Sequence, residues 1–238
     1  MITLLVPAYN EDAVIERLLR GLRERVQLPE DYEILVVDDG STDATPGLLD
    51  AWSARDSVVR VIHHPRNQGL GAALQTGFHA ARGRVIITMD ADLTHPPELI
   101  GPLAAACDTV DVAVASRYVP GGGMAGVPAW RVAVSRVANT LFQLLFATRL
   151  RDITAGFKAY RAERVRGLAL VSRGFEVQLE ITVRLLKAGA TTCELPYTLK
   201  NRELGASKMR YLRLLPRYAR ALAGLFRYRW NLGKTPYA

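Results

Sequence analysis

Four carboxylates stand in two pairs, each directly after a run of β-forming residues: Asp38 and Asp39 follow 32–37, and Asp90 and Asp92 close the run 85–89. In an open parallel sheet, ligands gather at the carboxyl ends of the strands, so acidic side chains placed there point to a site. Asp90 and Asp92 are one residue apart on a chain leaving a strand, and one or both can reach a hard divalent cation that holds two phosphates, Mg²⁺ or Mn²⁺. A D-x-D triplet alone is a weak motif, common in solvated turns; the apolar strand before this one strengthens it. Asp38-Asp39-Gly40-Ser41 fits two readings. It is either a capped strand-to-helix turn, built from the residues such turns use, or a place where Asp39 faces a nucleoside.

A second set of residues is basic. Arg131 and Ser135 are four apart, which on a helix puts a guanidinium and a hydroxyl on one face, able to grip the same phosphate. Arg117 offers a second guanidinium. Taken singly, each arginine reads as an ordinary surface charge. His63, His64, His79 and His95 have no partner at metal or triad spacing and receive no role. Cys107 and Cys193 have none either, which argues against a disulfide framework or a zinc site and for a reducing, cytoplasmic setting. Gly69 and Gly71 invite a dinucleotide-binding reading, but the third glycine position holds Leu74 and no strand directly precedes them, so a Rossmann dehydrogenase is rejected.

The elements that must carry these residues alternate. Strand-like runs at 2–6, 32–37, 58–62, 85–89 and 112–115 are separated by amphipathic helical stretches, the pattern of a doubly wound α/β sheet. Thr45 before Pro46 reads as an N-cap and first helical residue, and His95 before Pro96-Pro97-Glu98 opens another helix. Beyond Pro120 the texture changes: Gly121-Gly122-Gly123 reads as a flexible loop, followed by a helix over 129–147 that is apolar on one side. A helix over 175–187, a strand over 191–195 and a polar loop over 200–208 complete this stretch. In the last stretch Leu212, Leu215, Ala219, Leu222 and Phe226 form one stripe and Arg210, Arg213, Arg217, Arg220 and Arg227 another. Two readings fit: a helix packed on its own domain with a solvated basic face, or one lying on anionic headgroups.

The chain has 238 residues, 49% of them hydrophobic, enough for a sizeable core. Its net charge of +8 favours an anionic partner: nucleic acid, phospholipid or a phosphorylated small molecule. No apolar run reaches the length of a spanning helix, and the start lacks the pattern of a signal peptide, so a membrane would be met from its surface.

Taken together, Pro7-Ala-Tyr-Asn-Glu11, Val36-Val-Asp-Asp-Gly-Ser41, Asn67 with Gly69 and Gly71, and Met89-Asp-Ala-Asp-Leu93 resemble the GT-A glycosyltransferases of family 2. Ser116-Arg-Tyr118, the Gly121 loop, Arg131 with Ser135, Asp152-Ile-Thr-Ala-Gly-Phe157 and Gly205-Ala-Ser-Lys208 look like the dolichyl or polyprenyl phosphate mannose synthase branch. The resemblance runs to about Met209. It implies a single GT-A domain over 1–238, with a doubly wound, mostly parallel sheet flanked by helices. Residues 1–116 would form the nucleotide-sugar half, 117–209 the acceptor half and 210–238 a basic amphipathic helix and tail.

The same resemblance implies inverting transfer of mannose from GDP-mannose to a polyprenyl or dolichyl monophosphate at the cytoplasmic face of a membrane, with a separate membrane anchor protein as a further partner. Pro7, Tyr9, Glu11, Val37 and Asp39 would surround the nucleoside, and Asp90, Ala91 and Asp92 would meet the diphosphate. Arg202 and Lys208 would close over it, and Arg117, Arg131 and Ser135 would hold the acceptor phosphate, with Asp92, Arg117 and Arg131 catalytic. Asp90, Asp92 and Thr94 would take Mg²⁺ or Mn²⁺; the branch commonly has Gln at the position of Thr94. Asp152, Glu176 and Glu180 would touch the sugar or brace the arginines. The nearest alternative keeps the lipid phosphate and uses UDP-glucose or another UDP-sugar. A nucleic-acid-binding protein is disfavoured because aromatics are few and not interleaved with the arginines, and a silent scaffold because the acidic and basic site residues are present.

Overall fold

The computed structural model describes residues 1–200 together with Tyr218, Arg220, Ala221, Leu222, Gly224 and Leu225. Arg202, Gly205, Lys208 and most of the basic C-terminal stretch therefore lie outside the described residues.

The apolar runs become strands β1 (Ile2–Ala8), β2 (Tyr32–Asp38), β3 (Val59–His63), β4 (Val85–Thr88) and β5 (Val112–Ser116). β1, β2, β4 and β5 are buried along nearly their whole length, as strands covered on both faces must be. Helices α1 (Ile15–Arg25), α2 (Thr45–Arg55), α3 (Leu70–Ala80) and, after a 3-10 turn at Pro97–Leu99, α4 (Ile100–Ala106) alternate with them. Further along come β6 (Gly123–Ala125), α5 (Ala129–Phe146), β7 (Lys158–Arg161), α6 (Ala162–Val165), α7 (Val177–Lys187), β8 (Thr192–Pro196) and β9 (Thr198–Lys200).

One seven-stranded sheet runs β3-β2-β1-β4-β7-β5-β8, and β6 pairs with β9 in a second, two-stranded sheet. The larger sheet is parallel except for β7, which pairs antiparallel with both β4 and β5. Strand alternation sends successive side chains to opposite faces. Leu4, Ile34 and Val36 thus join α1, α2 and α4 in one core, while Leu5, Leu35 and Val37 join α3, α5 and α7 in the other.

Several expectations are corrected. β7 was not foreseen: Lys-Ala-Tyr-Arg has no alternation and carries a lysine that is completely buried. The glycine-rich stretch is not wholly a loop, because Gly123 begins β6. Thr45 does not cap α2 with its hydroxyl, which instead accepts the Glu11 N–H at 2.9 Å; the Asp43 carboxylate accepts the Thr45 N–H at 3.0 Å. The expected helix does open after His95, as a 3-10 turn, and His95 itself is buried against Phe157, ring centroids 4.6 Å apart.

α5 buries only Asn139 and Phe142. Its other side exposes Trp130, Val134, Val137, Leu141 and Leu144, each more than half accessible and spaced alternately four and three apart, a continuous apolar stripe. At the described C-terminal positions, Leu225 is buried, Tyr218 stacks on Phe142 at 6.1 Å and Arg220 is exposed. The rest of the stretch on which the two readings turn lies outside the described residues. Among the described residues no helix is long and apolar enough to cross a membrane.

Candidate active site

The strand order reverses direction at β1 and β4. β2 and β3 lie to one side of β1, and β4 and its neighbours to the other, which opens a crevice at the carboxyl ends of β1 and β4. Pro7, Tyr9 and Glu11 sit at the β1 end of that crevice, Pro7 in register with Val37 of β2. Asn10 takes φ +53°, a left-handed turn that Asn tolerates. There its N–H donates to Ser41 Oγ at 2.9 Å and its Oδ1 accepts the Thr42 N–H at 2.8 Å. The loops after β1 and β2 are thereby fastened together. Val37 itself is completely buried in the second core, so its side chain is closed off from the crevice; the expectation that it contacts a nucleoside holds at most for its backbone.

Asp38 and Asp39 are both buried and both engaged by the protein. Asp38 Oδ1 accepts the Ser41 N–H at 3.0 Å, and Oδ2 lies 2.7 Å from His63 Nδ1. Asp39 Oδ1 accepts the Gln68 N–H at 2.9 Å and meets His64 Nδ1 at 2.7 Å, while Oδ2 accepts the Gly69 N–H at 2.7 Å. The Asp39 carboxylate thus holds the 64–69 loop in place, which corrects the picture of a carboxylate standing open to a ligand. His63 and His64, which the sequence left without a role, line a cavity of about 420 Å³ with Tyr9, Ser41 and Asn67. Burial disfavours the charge on His63, but the neighbouring Asp38 and Asp50 outweigh it and hold its pKa above the ordinary value. Gly69 and Gly71 serve packing, not a dinucleotide fingerprint. A Cβ at Gly69 would stand 2.4 Å from the Arg173 carbonyl oxygen, and one at Gly71 only 1.8 Å from that of Ser172.

At the β4 end, Asp90 is half-buried and Ala91 and Asp92 are buried. The Asp90 N–H donates to His95 Nδ1 at 3.1 Å. Leu93 adopts φ +63°, a conformation costing a branched residue about 1–2 kcal/mol. The turn brings both the N–H and the hydroxyl of Thr94 onto Asp92 Oδ1, at 3.1 and 2.6 Å. Thr94 therefore orients Asp92. Among the described residues no three His, Cys, Asp or Glu side chains surround one point. Two carboxylates with room for phosphate oxygens and water are nevertheless the usual protein share of an Mg²⁺ or Mn²⁺ site, and the donor set fits one.

Opposite lies the basic group. Arg117 is gripped by Asp152, Nε to Oδ2 at 2.7 Å and Nη2 to Oδ1 at 2.6 Å, so it enters the site as half of a buried ion pair and not as a lone cation. Tyr118 donates its hydroxyl to Ser135 Oγ at 2.6 Å. Ser135 and the half-buried Arg131 share one face of α5, as their spacing required. Asn139 ties α5 to the neighbouring loop, its Oδ1 accepting the Ile153 N–H at 2.9 Å and its Nδ2 donating to Thr154 Oγ1 at 3.2 Å. Beneath, Lys158 Nζ donates to the Ile153 carbonyl at 2.9 Å and to Thr182 Oγ1 at 2.6 Å; burial pulls its pKa down to about 7. Glu180 accepts the N–H groups of Val171 and Ser172 and pairs with Arg184, and Glu176 accepts the Gly174 N–H. Both hold the 171–174 loop.

The family model described as Glycosyl transferase family 2 matches residues 3–167. The chain belongs to that family. It is a glycosyltransferase with the GT-A type of fold. It is 38% identical over 211 residues to the undecaprenyl-phosphate mannosyltransferase of Micrococcus luteus, covering 86% of each chain. It is 39% identical over 213 residues to the polyprenol monophosphomannose synthase of Mycolicibacterium smegmatis, covering 86% of this chain and 79% of that one. Among solved structures, glucosyl-3-phosphoglycerate synthase from Mycobacterium tuberculosis superposes with a TM-score of 0.69 at 22% identity, over 94% of this chain and 79% of that one. A mannosyltransferase from Pyrobaculum calidifontis in complex with GDP-Man and Mn²⁺ gives 0.67 at 21%, over 99% and 65%. At that identity the two structures speak for the fold.

Within this glycosyltransferase, the histidines are what sequence reasoning missed. His63 closes a strand and His64 follows it, much as Asp38 and Asp39 do, a position that was a usable signal. His95 gave none, because its partner, Phe157, is distant in sequence.

Proposed function

We propose that this glycosyltransferase moves mannose from GDP-mannose to a polyprenyl monophosphate with inversion, in the presence of Mg²⁺ or Mn²⁺. One juxtaposition carries the reading. The segment 152–156 holds Arg117 through Asp152 and α5 through Ile153 and Thr154, and a Cβ on its Gly156 would meet the Asp90 carboxylate at 3.5 Å. An acidic diphosphate end and a basic phosphate end are thus built on the two ends of five residues. Tyr197 is buried, and burial pushes the pKa of its phenol up, with the charge of Arg117 working against the shift and those of Asp152, Asp90 and Asp92 adding to it.

Asp90 and Asp92 would hold the divalent ion, with Thr94 fixing the Asp92 rotamer. When bound, that ion neutralises charge developing on the departing nucleotide. Pro7, Tyr9 and Glu11 flank the nucleoside, with the Asp39-braced loop as its far wall. Arg131 and Ser135 orient the acceptor phosphate, and the Arg117–Asp152 pair steadies that end of the site. A phosphate monoester has its second pKa near about 6, so the acceptor is already anionic at neutral pH and needs orientation more than a strong base. The apolar stripe of α5 offers the prenyl chain a track and the protein a way to rest on a membrane surface.

The test incubates the full chain with Mn²⁺, a short polyprenyl phosphate and, separately, GDP-mannose, UDP-glucose and UDP-N-acetylglucosamine, and follows glycolipid by mass. Product from GDP-mannose that disappears with Asp92→Ala supports the reading. Product from a UDP-sugar alone replaces the donor, and product from none refutes the reaction.

A further inference from the structure

Gln178 lies at the start of α7 and is only 4% exposed, yet its Oε1 has no hydrogen-bond partner. Buried polar atoms in folded proteins are almost always paired, and one that is not points to something that arrives later. The residue is not loosely held. Its carbonyl accepts the Thr182 hydroxyl at 2.8 Å and Lys158 Nζ at 3.4 Å, so the main chain beneath the amide is fixed.

The amide adjoins the acidic end of the site. The point a Cβ on Gly156 would occupy is 3.5 Å from Gln178 Nε2, 3.5 Å from Asp90 Oδ1 and 3.6 Å from Asp90 Oδ2. The missing side chain at Gly156 leaves a small niche with a carboxylate on one wall and an amide on another. The niche has the Asp90 carboxylate and the Nε2 donor of Gln178 on its walls, and the unanswered Oε1 belongs to the same amide. On the Gly156 side of Asp90 a phosphate oxygen, which only accepts, is repelled by the carboxylate, and a cation would face the N–H groups of the amide. A hydroxyl both donates and accepts, and a pair of adjacent hydroxyls suits a carboxylate and an amide side by side.

We propose that Gln178, with Gly156 keeping the niche open, reads the hydroxyls of the donor sugar and sets which hexose is transferred. The assignment rests on the nucleotide-sugar reading above.

The test measures, on the full chain with Mn²⁺, the affinities for GDP and GDP-mannose and the kcat/KM ratio of GDP-mannose over GDP-glucose. The variants are Gln178→Leu and Gly156→Ala; Gly156 is not at positive φ, so alanine fits its backbone. Both variants are expected to keep the wild-type affinity for GDP and Mn²⁺. Affinity for GDP-mannose should drop about tenfold, with a similar loss in the sugar ratio, because a site built around hydroxyls discriminates through them. Equal losses for GDP and GDP-mannose, an unchanged sugar ratio, or weakened Mn²⁺ binding, which would make Gln178 a metal-side group, each overturn the proposal. If the wild type binds UDP in place of GDP, the donor nucleotide proposed above fails. UDP, UDP-glucose and UDP-galactose then put the same question to Gln178.

Discussion

Asp152 accepts three hydrogen bonds from Arg117, two from the guanidinium and one from the backbone N–H, with the carboxylate fully buried. Burial works against the charge on Arg117, and the bonds to Asp152 more than offset it, holding the guanidinium above its ordinary pKa. Removing one partner leaves the other charged and desolvated. Asp152→Ala is therefore expected to cost about 3–5 kcal/mol, and adding Arg117→Met to recover a large part of that. Urea unfolding of the two variants measures both effects.

Tyr118 and Ser135 make a lighter contact. Tyr118→Phe removes a single hydrogen bond worth about 1 kcal/mol. The Ser135 hydroxyl loses its orientation, so KM for the lipid phosphate should rise about fivefold at that energy, with KM for the nucleotide sugar unchanged. Steady-state kinetics with each substrate varied in turn separates the two.

Asp39→Ala strands the N–H groups of Gln68 and Gly69 together with His64, at a cost of about 1–3 kcal/mol for each buried group left unpaired. Nucleotide affinity should fall because the wall of its cavity is released. Calorimetric titration with GDP, alongside thermal unfolding, reads both consequences.

Two glycines make a matched pair. Gly71→Ala drives a methyl into the Ser172 carbonyl, whereas at Gly167 nothing lies within 4 Å. The first should destabilise by about 1–3 kcal/mol, the range for overpacking, and the second should be close to neutral. Chemical denaturation of the two variants side by side tests the contrast.

His63 sets a pH dependence. Its folded-state pKa lies above the ordinary 6.5, so the charged pair with Asp38 adds stability in full below pH 6.5, and that stability fades as pH rises through the higher folded-state value. Compared with His63→Asn, the wild type should show its larger advantage in melting temperature at pH 6 and a smaller one at pH 8.5. An advantage that grows with pH would contradict the assignment.

Local composition and turn chemistry located the strands as far as β5, because short runs rich in β-branched residues, bounded by turn residues and alternating with helical stretches, are the mark of strands in such a sheet. The same logic placed Asp90 and Asp92 at a strand end, and the i, i+4 spacing put Arg131 and Ser135 on one helix face. Tertiary structure alone decided the rest. β7 reads as a polar tetrapeptide and becomes a central strand only because β4 and β5 pair with it from both sides. Arg117 looked like a cation available to a phosphate until the chain brought Asp152 onto it, 35 residues on. Asp39 looked like a ligand until the 64–69 loop folded over it. The unanswered amide of Gln178 had no signal at all. Spacing within one element is set by bond geometry and can be read from residue order. Which buried polar group meets which depends on contacts between distant segments, and those exist only once the cores on either face of the sheet have closed.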